Sequence, residues 1–347
     1  MGDKMSKKIF NRAICFGDIH FGHKANSTEH NEDCVQFIKW MIELAKEKNI
    51  ETCLFLGDWH HNRQTVNVET LNYSYQGMKL LNDNFKETYF IVGNHDLYFR
   101  ENRDISSLIY AKDLENIIYI DDKLVKGDVA FYPWLVGDEW KELKKNKHKY
   151  IFGHFELPDF YLNSMVKMPD TGELKGDDFN KAGQVFTGHF HKRQTKGNVT
   201  YIGNAFPHDF NDVWDDERGV MVLEWDKEPE YYAWPDAPKY RRYEYSMIKD
   251  NPEKHFEKVS KLHLKIDYDE SETTYSEIST FRDRVVEDYD IRSIKLLSRV
   301  DAGDNEGVEV EEAATCDSVD TIVVEQIKSM DSGEYDPKYL IEIYNEL

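Results

Sequence analysis

Long apolar runs are missing from this sequence of 347 residues. No stretch approaches the ~20 apolar residues that cross a bilayer, so a helical membrane protein is excluded. The first ten residues, MGDKMSKKIF, also lack the apolar core of a secretory signal peptide. We therefore expect a soluble protein of the cytoplasm.

Cysteine is scarce, and its spacing argues against a structural metal or disulfide framework. The four cysteines show no CxxC pair, and two of them fall in apolar runs typical of strands. Paired thiols of a zinc site or a disulfide scaffold would recur at short, regular spacing. We expect Cys15, Cys34, Cys53 and Cys316 to be free thiols.

An excess of basic charge is also missing, since the net charge is −22. The distribution of this charge matters more than its sum. Residues 301–347 contain 14 Asp/Glu and 2 Lys, which leaves only −10 for the first 300 residues. The charge therefore marks an acidic tail and does not exclude a nucleic-acid substrate, particularly if divalent cations bind the body of the protein.

Strand-like and helix-like segments alternate at the start of the chain. Apolar runs at 9–17, 51–57 and 86–93 predict strands, and helical spacing of apolar residues predicts helices over 32–49 and 68–85. This βαβαβ alternation favours a layered α/β fold.

Four further strands are predicted at 147–154, 183–189, 198–204 and 218–225. The last three leave little room for helices between them, so we expect a second, more antiparallel sheet. Beyond Trp234, a βαβ-like pattern predicts a small separate unit, and the acidic, apolar-poor segment after it predicts a linker. The expected division is a flexible N-terminus (1–8), a main domain (9–235), a small domain (236–300), a linker (301–317) and a helical segment (318–347).

Polar side chains follow five of the predicted strands, each just after a glycine. The motifs are GDIH at 17–20, GDWHH at 57–61, GNHD at 93–96, GH at 153–154 and GHFH at 188–191. Each motif alone is a common turn, but open α/β sheets bind ligands outside the carboxyl ends of their strands. We therefore expect these side chains to converge in one crevice.

The converging side chains are carboxylates, an amide and imidazoles, without thiolate. Such donors suit manganese, zinc or iron. Seven ligands are too many for one ion with an open position, and they suit two ions that share a carboxylate, for which Asp58 is the candidate. A pair of ions activates water and clamps the oxygens of a displacement at phosphorus.

These motifs, with VGNHDLYF, GHFELPDFYLNSM, YIGNAFPHDFND and ERGVMVLEWD around them, resemble the calcineurin-like metallophosphoesterases. Within that family they are most similar to the SbcD-type nucleases of DNA double-strand-break repair, including phage recombination endonuclease subunits. The specific motifs span residues 16 to about 225, and the small domain and tail resemble these nucleases in layout only. The resemblance implies a four-layer α/β/β/α sandwich, a small α+β capping domain and a C-terminal helical tail.

The resemblance also implies roles for individual residues. One metal would be held by Asp18, His20, Asp58 and His191, and the other by Asp58, Asn94, His154 and His189. His95 would face the leaving oxygen, His61 would lie near the scissile phosphate, and Asp96 would orient His95. The loop containing Asn204 departs from the family, in which serine is frequent at that position, so its role stays open.

Activity, cofactors and partners follow from the resemblance as expectations. It implies two divalent ions, Mn²⁺ or Mg²⁺, 3′-to-5′ exonuclease action on duplex ends, endonuclease action on single strands, and a homodimer in the host cytoplasm if the chain is phage-encoded. It further implies a partner, an SMC-like coiled-coil ATPase. Cations that flank the motifs are candidates for contact with DNA phosphates: Arg63, Arg100, Arg103, Lys192 and Arg193.

Two short amphipathic helices are predicted in the tail, and helices this short are marginal alone in water. We expect their apolar stripes to bind a groove of the ATPase; an alternative is a helix pair docked on the main domain. The stripe residues are Val319, Ile322, Val323, Ile327, Leu340, Ile343 and Tyr344.

Two other functions are compatible with the same motifs. The metal site would equally serve a phosphomonoesterase or a cyclic-nucleotide phosphodiesterase. A non-catalytic adaptor would keep the fold alone, although an adaptor is expected to lose ligands, and here the set is complete.

Overall fold

The computed structural model of the protein describes residues 8–162, 166–170 and 172–299. Its strands are β1 Arg12–Phe16, β2 Thr52–Phe55, β3 Glu87–Ile91, β4 Ile117–Ile120, β5 Leu124–Lys126, β6 Val129–Tyr132, β7 Tyr150–His154, β8 Gln184–Gly188, β9 Gln194–Lys196, β10 Val199–Tyr201, β11 Gly219–Glu224, β12 Glu230–Ala233, β13 Lys239–Glu244, β14 Leu262–Tyr268 and β15 Ile291–Ser298. Its helices are α1 His23–Asn26, α2 Thr28–Glu47, α3 Val68–Asn84, α4 Trp140–Leu143, α5 Tyr245–Ile248, α6 Glu253–Phe256 and α7 Tyr275–Asp288. None of the helices in this described part is long and apolar enough to span a bilayer.

The first sheet has the order β12-β11-β1-β2-β3-β4. The predicted βαβαβ unit forms its centre, where β1, β2 and β3 pair in parallel. Helices α2 and α3 cover one face, and each begins at a capping side chain. The hydroxyl of Ser27 accepts from the backbone N–H of His30, which explains why α2 begins four residues before the predicted helix, whose start was placed from apolar spacing alone.

The second sheet has the order β5-β6-β7-β8-β10-β9, and the expectation of a more antiparallel sheet is wrong. Strands β6, β7, β8 and β10 pair in parallel, and antiparallel pairing is confined to the edges. The short connection after β8 misled the prediction, because it contains the edge strand β9 and returns the chain to lie parallel to β8. Strand β11 crosses instead to the first sheet, antiparallel to β1.

The two sheets pack face to face, which confirms the α/β sandwich. Between them lies an aromatic-rich core in which the rings of Tyr89 and Phe131 stack 4.6 Å apart. The outer face of the second sheet is covered by α4, short 3₁₀ turns and loop side chains such as Phe160. The fourth layer is therefore much thinner than the α2–α3 layer. Cys15, Cys34 and Cys53 are buried free thiols, as expected, and Cys316 lies outside the described residues.

The segment after Trp234 forms a third sheet with the strand order β13-β14-β15. Helix α7 connects β14 to β15 along the chain. Residues 239–243, with the sequence KYRRY, lie in the edge strand β13. The side chain of Tyr243 belongs to the apolar core of this third sheet. Contacts group the chain up to Leu297 as one compact unit. The predicted domain boundaries stay predictions, and the linker 301–317, the segment 318–347 and almost all of 1–8 lie outside the described residues.

Candidate metal centre

The five motifs do converge at the carboxyl ends of β1, β2, β3, β7 and β8. Side chains from four of them line a cavity of about 120 Å³, and His154 at the end of β7 lies buried within reach of Asp58 and His189. The residues that line this cavity are His20, His23, Asp58, His61, His95, His189, His191 and His208. Strands of both sheets therefore contribute to one site, as the sequence predicts.

The backbone at this site is held in an uncommon conformation. Asp18, His20, Asp58 and His189 have φ angles of +51°, +53°, +62° and +89°. Left-handed backbone at non-glycine residues is strained and persists where surrounding contacts enforce it, frequently at functional sites. The glycine before Asn94 is required for space, because a Cβ atom at Gly93 would lie 2.2 Å from a carboxylate oxygen of Asp58.

Asp18, His20 and His191 place their ligand atoms within 4.8 Å of one another. The Nε2 atoms of the two histidines are 3.1 Å apart, so both rings point toward one position. Asp18 Oδ1 accepts from the backbone N–H of His189 at 2.9 Å, while its buried Oδ2 has no hydrogen-bond partner among the described residues. A buried oxygen left free beside converging imidazoles is what a cation site requires.

A second group is formed by Asp58, His154 and His189, again within 4.8 Å. His154 directs Nδ1 to the carbonyl oxygen of Leu56 at 2.7 Å, which leaves Nε2 to face Asp58 and Asn94, 3.0 Å from Oδ1 of Asn94. This arrangement is common for histidine that binds metal, because the outer hydrogen bond fixes the ring.

Asp58 lies between the two groups. Its Oδ2 is 3.8 Å from Nε2 of His20 on one side and 3.3 Å from Nε2 of His154 on the other. The geometry fits a carboxylate that serves two ions. In a third group, the ligand atoms of His20, His61 and His95 also lie within 4.8 Å of one another. This group contains no carboxylate to balance the charge of a cation.

Buried charge at the site also fits bound cations. Burial, with a smaller contribution from the charge of Asp58, raises the pKa of the Asp18 carboxyl to about 8. Burial alone would lower the pKa of His154, but the charge of Asp58 and a hydrogen bond to it raise that pKa to about 9. The Asp18 carboxylate thus lacks enough positive charge around it, which divalent ions would provide.

The hydrogen bonds of His95 and Asp96 differ from those that the sequence analysis expects. The imidazole of His95 is oriented by the carbonyl oxygen of His61, 2.6 Å from Nδ1, and the ring of His61 stacks on it at 5.6 Å. The prediction that Asp96 orients His95 is therefore corrected. The buried Asp96 carboxylate accepts instead from the backbone N–H groups of Asp58, Trp59, His60 and Gly93 at 2.9–3.0 Å. It ties the β2 and β3 loops together.

Three residues near the centre have roles that the sequence analysis did not assign. Oε1 of Glu156 lies 3.5 Å from Nε2 of His189. The hydrogen bond between these two side chains is the main reason that the pKa of Glu156 falls to about 2. Buried Asn204 accepts from Arg218 at 2.8 Å and donates to Asp212 at 3.1 Å, so its loop is held by an internal polar network. His208 lines the cavity. Glu156 lies in the sequence GHFE, but the sequence does not separate it from the other acidic residues. Only the fold places its carboxylate beside His189.

The predicted DNA contacts fall into two groups. Arg103 bonds the carbonyl oxygen of Trp134 at 2.7 Å and the carboxylate of Glu139, and Arg193 bonds the carbonyl oxygen of Glu217 at 2.6 Å, so both guanidinium groups are used within the protein. The other three, Arg63, Arg100 and Lys192, keep contact with solvent. Arg100 pairs with Glu156 at 2.8 Å but remains exposed, and Arg63 is half-buried. The predicted partner-binding residues 319–344 lie outside the described residues.

Comparison with known proteins identifies the family of the chain. A family model described as calcineurin-like phosphoesterase matches residues 12–193, slightly more than half of the chain. A curated relative, exonuclease subunit 1 of Enterobacteria phage T4, is 26% identical over 351 residues that cover 97% of this chain and 98% of the relative.

Two solved structures are similar to this chain at a low level. A dimetal phosphatase from Danio rerio is 10% identical with a TM-score of 0.40, covering 65% of this chain and 94% of that chain. The nuclease MPE from Pseudomonas putida is 20% identical with a TM-score of 0.29, covering 54% of this chain and 66% of that chain. These likenesses are too low to assign residue roles.

Proposed function

Since the chain belongs to the calcineurin-like phosphoesterase family, we propose that it is the nuclease subunit of a DNA end-processing complex and hydrolyses DNA phosphodiesters. The observation that carries this proposal is the pair of donor groups that share Asp58. Similarity over nearly the whole chain to a phage protein named an exonuclease subunit favours DNA as the substrate.

The chain's own residues have distinct tasks in this proposal. Asp18, His20, Asp58 and His191 would hold one divalent ion, and Asp58, Asn94, His154 and His189 the other. Two such ions, Mn²⁺ or Mg²⁺, supply an activated water and neutralise phosphate charge when bound.

The imidazole of His95 is the proposed general acid. Its Nδ1–H donates to the carbonyl oxygen of His61, so a proton on Nε2 is the one available to the leaving oxygen. His61 lines the same cavity and would contact the scissile phosphate. Arg63, Arg100 and Lys192 would position the DNA backbone.

Specific activities and partners belong to the same proposal. We propose 3′-to-5′ exonuclease action on duplex ends and endonuclease action on single strands, in DNA repair and recombination. An SMC-like ATPase is proposed to bind the segment 318–347. We also propose a homodimer, with exposed apolar side chains of α3 and of the 98–109 segment as its candidate contacts: Val68, Leu71, Tyr75, Tyr98, Phe99, Ile105 and Ile109.

Parallel assays on three substrate classes test the proposal. Metal-free protein is loaded with Mn²⁺ or Mg²⁺ and given end-labelled duplex and single-stranded DNA, p-nitrophenyl phosphate, and a cyclic nucleotide. We expect cleavage of DNA at a much higher kcat/KM than the other substrates. Preference for the monoester or the cyclic nucleotide would replace the nuclease by one of those activities, and metal binding without any turnover would favour an adaptor.

A further inference from the structure

His208 differs from the other buried histidines around the centre. Its exposed fraction is 1%, and neither ring nitrogen has a hydrogen-bond partner among the described residues. Buried polar groups are normally paired. Because the ring also lines the central cavity, its unpaired nitrogens are placed beside the space that a ligand would enter.

The backbone of His208 is fixed on both sides. Its N–H donates to Oδ2 of Asp212 at 2.9 Å, and its carbonyl oxygen accepts from the Tyr240 hydroxyl at 2.6 Å. The ring centroid lies 5.5 Å from that of His191 and 5.7 Å from that of His20. Contacts from the third sheet, through Tyr240, therefore help to hold an unpaired imidazole next to a predicted metal ligand.

Two other buried histidines near the centre, His30 and His60, do have hydrogen-bond partners. Nε2 of His30 lies 3.0 Å from the carbonyl oxygen of His20, and the ring nitrogens of His60 lie 2.8 Å from Ser74 and Ser107. Hydrogen bonds within the protein account for these two rings. No such bond accounts for His208 in the described part of the chain.

We propose that His208 donates a hydrogen bond to a non-bridging oxygen of the scissile phosphate. The inference rests on the proposed function of the site as a phosphodiesterase. An imidazole carries at least one N–H in either protonation state, and a phosphate oxygen is an anionic acceptor that makes strong hydrogen bonds. His208 would thus be a substrate-contacting residue supplied by the loop after β10, in addition to the five strand-end motifs.

Replacement of the ring by groups with and without a donor tests this role. His208→Phe keeps an aromatic ring without N–H, and His208→Gln keeps an amide donor. With thymidine 5′-monophosphate p-nitrophenyl ester, we expect His208→Phe to lower kcat/KM roughly 10- to 100-fold and His208→Gln to recover part of the loss. Both variants should keep the wild-type metal content by elemental analysis.

Binding of inorganic phosphate to the metal-loaded protein provides a readout that does not depend on turnover. We expect His208→Phe to weaken phosphate binding measured by calorimetry. His255→Phe is the matched control, because His255 packs edge-on against Tyr243, away from Tyr240, and does not line the cavity. It should leave both measurements unchanged.

The outcomes separate this inference from the proposed function. Wild-type kinetics and phosphate binding in folded His208→Phe would overturn the inference, as would loss of a metal ion in His208→Gln, which would make His208 a ligand. If His208→Phe fails to fold, His208→Gln decides by the same measurements. A wild-type protein that hydrolyses neither the ester nor DNA would overturn the proposed function, while the phosphate measurement would still decide whether His208 binds the anion.

Discussion

Asp58 is the residue on which both groups of donors depend. Its two oxygens are used on different sides of the cavity, Oδ1 by the backbone N–H of His95 and Oδ2 facing His20 and His154. Its backbone is left-handed, with φ of +62°, a strained conformation that persists where surrounding contacts enforce it.

We predict that Asp58→Ala loses both metal ions or nearly so, because removal of the shared carboxylate weakens both sites. Elemental analysis after dialysis against Mn²⁺ measures the stoichiometry. Asp83→Ala, which removes an exposed carboxylate on α3, should retain two ions. Two ions and normal turnover in Asp58→Ala would show that Asp58 is not a bridge.

His95→Asn should keep the metal ions and DNA binding but cleave DNA roughly 100- to 10,000-fold more slowly, the range expected for loss of a general acid. Single-turnover cleavage of labelled DNA measures this rate. His148→Asn, at a half-buried histidine bonded to Asn146, should cleave at the wild-type rate, and His61→Ala should be milder than His95→Asn. Near-normal cleavage by His95→Asn would remove His95 from the mechanism.

At the scale of elements, hydrogen bonds to the Asp96 carboxylate join the loops that follow β2 and β3 at the site. One buried carboxylate accepts four backbone N–H groups from the turns after β2 and β3. Asp96→Asn should lower the free energy of unfolding by about 3 kcal/mol, because the amide leaves buried donors unpaired. Denaturant unfolding measures the loss, with exposed Asp104→Asn as the control. Unchanged stability would mean that these bonds are not needed for folding.

Helix α3 presents the apolar side chains that support a dimer. Leu71→Glu places a charge among them and should convert a dimer to a monomer without changing metal content. Light scattering coupled to size exclusion measures the mass, and Gln76→Glu on the same exposed helix is the control. A wild-type monomer, or a dimer that persists in Leu71→Glu, would contradict the use of this surface.

The sequence was most informative where structure is local. The five motifs and the strands before them were predicted because each glycine and polar group directly follows its own apolar run. The pairing of β11 with β1 was missed, since it joins segments about 200 residues apart and leaves no local pattern. Glu156 and His208 were likewise not assigned, because only the folded chain brings Glu156 to His189 and His208 to the cavity.

At the scale of the whole molecule, the tail prediction is separable from the site. Deletion of 318–347 should leave metal binding and the proposed nuclease activity intact and abolish binding to the proposed ATPase partner. The double variant Ile322→Asp and Ile343→Asp should do the same, and Asp320→Ala should bind normally. A pull-down measures binding, and full capture of the ATPase by the truncated chain would contradict the prediction.

Anomalous diffraction from crystals of the Mn²⁺-loaded protein tests the central claim most directly. The account predicts two manganese peaks, one bound by Asp18, His20 and His191, the other by Asn94, His154 and His189, with Asp58 coordinating both. A single peak, or a peak held by His20, His61 and His95, would contradict it.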